Sequence, residues 1–171
     1  MTRSGSKNFK PEPFFRFVNV FIYNLLTQEF LFVLQKDRQA KNIWTPVGGE
    51  IELPNTAEQT AIIEAQEEVG IEIKILETIR VAELYYDQSI YWAKHQAHVE
   101  IVEFLAIITQ GIPVLKPQPD EQDYEIIDLA WYSHGQFKEL LQIGEIKTYP
   151  SIIVSMDIIR NRLKYSRKIV G

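Results

Sequence analysis

The chain of 171 residues contains no cysteine. Disulfides and thiol chemistry are therefore excluded, and a reducing compartment, the cytoplasm, is the expectation. Positive charge is also in short supply, with 18 lysines and arginines against 23 aspartates and glutamates and a net charge of −5. No broad basic surface is left for duplex DNA or RNA, so a nucleic acid polymer is not an expected partner. Long apolar runs are missing as well: none reaches the length of a membrane span, and the opening MTRSGSKNFKPEP lacks the apolar core of a signal peptide. No internal repeat is visible. The remaining composition, 46% hydrophobic and 24% charged, fits one globular domain with a sizeable core. The expected bounds are an N-terminal arm over 1–12, a single domain over 13–165 and a tail over 166–171.

Apolar residues that alternate or cluster in short runs predict strands over Phe14–Tyr23, Phe30–Leu34, Ile43–Val47, Ile71–Leu76, Thr78–Tyr86, Ala97–Thr109 and Tyr124–Tyr132. Asn24–Glu29 reads as a hairpin turn, and Gln110–Asp120, with Gly111 and three prolines, as a loop. Within the sixth of these strands Val99, Ile101 and Phe104 are expected to pack inward. Helices are expected over His134–Gln142 and Ser151–Tyr165, the second built on Ile152, Ile153, Met156, Ile159 and Leu163.

The most informative stretch is Gly48–Ile71, GGEIELPNTAEQTAIIEAQEEVGI. Its middle predicts a helix that starts at Asn55 or Thr56, with Thr56 to Gln59 as a capping box and Gly70 as the stop. For Asn55 this capping role is preferred to metal ligation. On that helix Glu64, Glu67 and Glu68 fall at i, i+3 and i+4, spread over roughly 100° of one face. Like charges so close repel, and a divalent hard cation is their natural partner because Mg²⁺ or Mn²⁺ takes oxygen ligands. A solvated acidic face is the plainer reading of three glutamates on a helix. The glycine pair before them, the fixed gap and the Gly70 stop tilt the balance toward a site.

These residues resemble the Nudix hydrolase box, G-x5-E-x7-R-E-U-x-E-E-x-G-U with U bulky and aliphatic. Gly49, Glu64, Glu67, Glu68, Gly70 and Ile71 match it; Asn55 stands in place of the first glutamate, Ile63 of the arginine and Ala65 of a larger aliphatic. The resemblance implies an α/β fold, a mixed β-sheet in an α/β/α sandwich. It also implies hydrolysis of a phosphoanhydride in a nucleoside diphosphate linked to another moiety, with a small-molecule nucleotide or nucleotide derivative as partner. By the same resemblance Glu64, Glu67 and Glu68 are the catalytic and metal-binding carboxylates for Mg²⁺ or Mn²⁺, with the Gly48 carbonyl as a further oxygen. Glu64 is also the candidate base. Asn55 and Ile63 remove both members of a supporting ion pair, which favours the alternative of a Nudix-fold nucleotide-binding or regulatory module without turnover. Members of the family are often dimeric, so a homodimer is kept as an expectation.

Gly49, Tyr85, Tyr86 and Glu125 are the candidate substrate contacts: the tyrosines could stack on a base, and Glu121 or Glu125 is placed to act as a late acidic residue. Strand tyrosines more often simply pack. Tyr91 and Trp92 fall under the same two readings. His95 and His98, three apart with no cysteine near, make a poor zinc site. The basic end that includes Arg160, Arg162 and Lys164 reads as a cationic helix terminus.

Overall fold

Apolar side chains with a period of two decide the architecture, because both sets are buried. On β1 (Phe14–Asn24), Val18, Val20 and Ile22 belong to one core and Phe21 and Tyr23 to another. On β2 (Glu29–Asp37), Leu31 and Val33 go with the first, Phe30 and Phe32 with the second. A strand apolar on both faces must lie between two layers, and helices supply them. The computed structural model describes residues 14–37, 41–85, 98–117 and 124–170.

The remaining elements are β3 (Asn42–Thr45), β4 (Val47–Glu50), α1 (Ala57–Val69), β5 (Glu72–Tyr85), β6 (His98–Gln110), β7 (Tyr124–Ser133), α2 (His134–Gln142) and α3 (Pro150–Val170). They form a seven-stranded mixed sheet ordered β3-β2-β1-β6-β5, with β4 on β1 and β7 on β2. β1 runs parallel to β6, and the other pairs are antiparallel. Helix α1 covers one face through Ala61, Ala65 and Val69. Phe137 of α2 and Ile152, Met156 and Ile159 of α3 cover the other. This is the α/β sandwich expected from the sequence. Among the described residues no helix is long and apolar enough to cross a membrane.

Three details differ from expectation. The stretches around Ile71–Leu76 and Thr78–Tyr86 form one strand, β5, whose pairing with β6 slips at Ile75/Glu77 and Thr78/Arg80. Such bulges turn carbonyls out of the ladder, and Arg162 of α3 answers them: Nη1 donates to Thr78 O at 3.3 Å and Nη2 to Ile79 O at 3.0 Å. Second, Val99 and Phe104 are buried as expected, but Ile101 is only half-buried. Third, α3 continues to Val170, past the expected Tyr165. Of its cations, Arg160 also makes a contact, reaching His134 Nδ1 at 3.4 Å.

One polar row crosses the face under α3. Strand register sets Gly48 beside Asn19, Asn19 beside Glu103 and Glu103 beside Arg80. Glu103 is 1% exposed, its Oε1 lies 3.3 Å from Arg80 Nε, and Arg80 donates onward to Ser155 Oγ and Ser151 O. Burial pushes the Glu103 carboxyl above its ordinary value, while Ser155 and Arg80 pull it back.

Candidate active site

Helix α1 begins at Thr56, whose hydroxyl accepts from Gln59 N at 3.1 Å while the Gln59 side chain accepts from Thr56 N at 2.9 Å. The capping box is thus as expected, but the cap is Thr56 and not Asn55. Asn55 is engaged through its backbone, donating to Glu52 O at 3.0 Å. At the far end Gly70 takes the left-handed conformation, φ 70°; its N–H donates to the Gln66 carbonyl at 3.1 Å and that of Ile71 to the Ala65 carbonyl at 3.3 Å. With both ends fixed, the phase of the helix is fixed too. Ala61, Ala65 and Glu68 fall on the buried stripe, Glu64 at its margin, and Ile63 and Glu67 outside.

The three glutamates therefore share a helix but not an environment. Glu67 is exposed, Glu64 half-buried, and Glu68 is 2% exposed. As they stand, no group of three His, Asp or Glu side chains among the described residues is arranged to hold a metal ion. The carboxyl of Glu64 lies directly over Gly49: a methyl group built on Gly49 would run into Glu64 Oε1 and Cδ and stand 2.8 Å from Oε2. Gly48 faces the other way, where the same methyl would meet the Val18 carbonyl and lie 3.0 Å from Asn19 Oδ1. The glycine pair thus lets neighbours approach closely on both faces of β4, Glu64 on one and Val18 with Asn19 on the other.

Burial, then Glu67, then Glu52 raise the Glu64 carboxyl to about 7. Glu52 was missed by sequence reasoning. The alternation Glu50-Ile51-Glu52, with Ile51 buried and both acids turned outward, was the available signal. Burial and then Glu52 also raise Glu50. Ile63, where the box has arginine, is 38% exposed, and no cation contributes to the Glu64 shift. Such a set of hard oxygen donors, held in mutual repulsion, fits a divalent cation by its chemistry.

The other candidates fall elsewhere. Glu125 is exposed on β7 opposite Lys36 of β2, while the glycine pair is on β4, which pairs with β1. Tyr85 closes β5, its backbone opposite His98. Tyr86, Tyr91, Trp92, His95 and Glu121 lie outside the described residues. His98 packs against Phe14 at a ring separation of 5.2 Å, with Nε2 3.8 Å from Glu83 Oε2.

Comparison with known proteins agrees with this geometry. A NUDIX hydrolase from Nitrosomonas europaea superposes with a TM-score of 0.68 at 15% identity, covering 88% of this chain and 90% of that one. A MutT NUDIX hydrolase from Burkholderia pseudomallei gives 0.66 at 16%, covering 86% and 99%. The E. coli dihydroneopterin triphosphate pyrophosphohydrolase gives 0.59 at 17%, covering 83% and 92%. At such identities the likeness is one of fold. No curated protein matches in sequence. The NUDIX domain model, however, matches residues 14–152, most of the chain, and the chain therefore belongs to the Nudix family.

Proposed function

We propose that this protein is a divalent-metal-dependent pyrophosphohydrolase that cleaves a phosphoanhydride in a nucleoside diphosphate linked to another moiety. The observation that carries the reading is the Glu64 carboxyl seated in the Gly49 gap beside Glu67 and Glu52, raised to about 7. Glu64, Glu67 and Glu68 are the proposed ligands for Mg²⁺ or Mn²⁺, with the Gly48 carbonyl as a further oxygen. A bound dication would neutralise phosphate charge and acidify a water at the reacting phosphorus. The chain's own part is to hold that water and receive its proton. A carboxylate standing beside that water is the group suited to accept its proton. Gly49 fixes where that carboxyl stands, because a side chain there would occupy the same space.

A second reading, a nucleotide-binding module without turnover, is favoured by Ile63 and Asn55. The exposed isoleucine gives Glu64 no orienting cation, and Asn55 is engaged through its backbone. Incubation with nucleoside triphosphates, dinucleoside polyphosphates, ADP-ribose and nucleotide sugars, with and without Mg²⁺, separates the two. Hydrolysis predicts metal-dependent product; the module predicts ligand-induced thermal shifts and no product. For the hydrolase, Glu67→Gln is expected to remove turnover while leaving the melting temperature within a few degrees, since Glu67 is exposed. An unchanged rate would remove Glu67 from the site. The lack of cysteine is consistent with a cytoplasmic location.

A further inference from the structure

Glu103 Oε2 is buried and has no hydrogen-bond partner among the described residues. An ionisable oxygen left so in a core is costly, because it has given up water and gained no donor in exchange. Beside it in the parallel register with β1 is Asn19, half-buried, whose carboxamide makes no side-chain hydrogen bond to any described residue. Both face away from α1, and Asn19 Oδ1 stands over Gly48. Neighbouring strands lie about 4.8 Å apart, close to the span of the hydrogen-bonding edge of one aromatic base. Burial relaxes along this face from Glu103 toward Asn19, Phe17 and Ile101, all three half-buried. The unpartnered oxygen therefore sits at the inner end, with a polar amide and an aromatic ring nearer the outside.

We infer that Asn19 and Glu103 read the base of the nucleotide, and that the base they fit is guanine or another 2-amino-oxo ring. The inference rests on the nucleotide reading above. Arg80 holds Oε1, which leaves Oε2 as an acceptor. An acceptor at one end and an amide N–H donor at the other call for a ring edge that ends in donors on the first side and in a carbonyl on the second. Guanine presents this order, with N2–H and N1–H toward the carboxylate and O6 toward Asn19 Nδ2. Adenine and cytosine have one amino donor next to a ring acceptor, and uracil flanks its single N–H with two carbonyls, one of which would face Oε2. Phosphates attached to a base so placed can pass the outer edge of β4, which among the described residues pairs with β1 alone. At the glycine pair of that strand, Asn19 Oδ1 comes close on one face and the Glu64 carboxyl on the other.

The test is calorimetric binding of guanosine, inosine and adenosine 5′-monophosphates in EDTA, using ligands with no anhydride to cleave. The intact protein should bind the guanosine nucleotide roughly tenfold or more tightly than the other two, the difference expected when a charge-assisted hydrogen bond is lost. Asn19→Ala and Glu103→Gln should each bring the three affinities to within about threefold of one another. Circular dichroism and melting temperature confirm that each variant folds, and the half-buried Asn19 carries the test if Glu103→Gln does not. Equal affinities in the intact protein, no binding at all, or a preference that survives Asn19→Ala would overturn the inference. Metal-dependent hydrolysis without base preference would sink it alone and leave the hydrolase reading standing. A guanine preference with no anhydride cleaved would do the reverse.

Discussion

A hydrogen in place of a methyl group does two different jobs at adjacent residues. At Gly49 the space is filled by the end of the Glu64 side chain, which can move aside; at Gly48 it is bounded by the Val18 backbone carbonyl, which cannot. Gly49→Ala should therefore spare the fold but displace the carboxyl, lowering kcat by on the order of 100-fold, as misplacement of about an ångström can. Gly48→Ala should lower stability by about 1–3 kcal/mol through overpacking. Denaturant melts and turnover measured on the same two proteins check both halves.

The Glu64 carboxyl gives a second residue-scale expectation. Its folded value, about 7, lies above the ordinary 4.5, so between those limits the folded protein keeps a proton that the unfolded chain has released. Stability should then fall as pH rises through that window in metal-free buffer, because the folded state binds more protons. Glu64→Gln should flatten the slope, and Ile63→Arg, by returning a cation to the helix face, should shift it to lower pH. Melting temperature against pH in EDTA reads all three; a flat profile in the unmodified protein would show that Glu64 is not so perturbed.

At the scale of elements, the bulged β5 is tied to helix α3 from both sides, by Arg80 of the strand and by Arg162 of the helix. Arg162→Ala takes the donors from Thr78 O and Ile79 O and should cost about 1 kcal/mol in a denaturant melt. Arg162→Lys should recover only part of it, because an ammonium lacks the planar fork. This contact also shows where sequence reasoning stops. Element types were legible because patterning and caps are local: Thr56 with Gln59, Gly70, and the alternation on β1 and β2. The merging of two stretches into β5 was not, since the bulges exist only relative to β6 and are answered from a helix some 80 residues later. The same division holds in the candidate site. The spacing of Glu64, Glu67 and Glu68 could be read from the chain, but their unequal burial comes from helix phase against the sheet. The approach of Glu52 depends on the path between β4 and α1. Asn19 and Glu103 lie far apart in the chain, and nothing local to either pointed to the other.

For the whole molecule, the two cores are of different character. The one under α1 is mainly aliphatic, with Phe104 its buried aromatic, whereas the other holds an aromatic group in which Phe32 stacks on Phe137 at 4.2 Å and 8°, with Tyr132 beside both and Trp44 edge-on to Tyr132. Phe137 is fully buried, and Phe137→Ala should cost roughly 3–5 kcal/mol. Because Glu64 and Gly49 face the other core, the folded fraction of this variant should keep its specific activity. Activity normalised to folded protein, measured below the melting temperature, checks it; a proportional loss of kcat would mean that the two layers are coupled.

Pro46 separates β3 from β4, so a single segment is bonded to β2 before the proline and to β1 after it. Those two strands share only a short ladder near their turn, Ile22–Asn24 against Glu29–Leu31, and diverge beyond it. The segment works as a stitch across a fork, anchored again where Trp44 N donates to Lys147 O and Thr148 donates to Trp44 O. Spreading the fork would mean unfastening both arms at once. The glycine pair thus stands just past the point where the segment changes partners, and a ligand arriving there meets a backbone already committed to two strands.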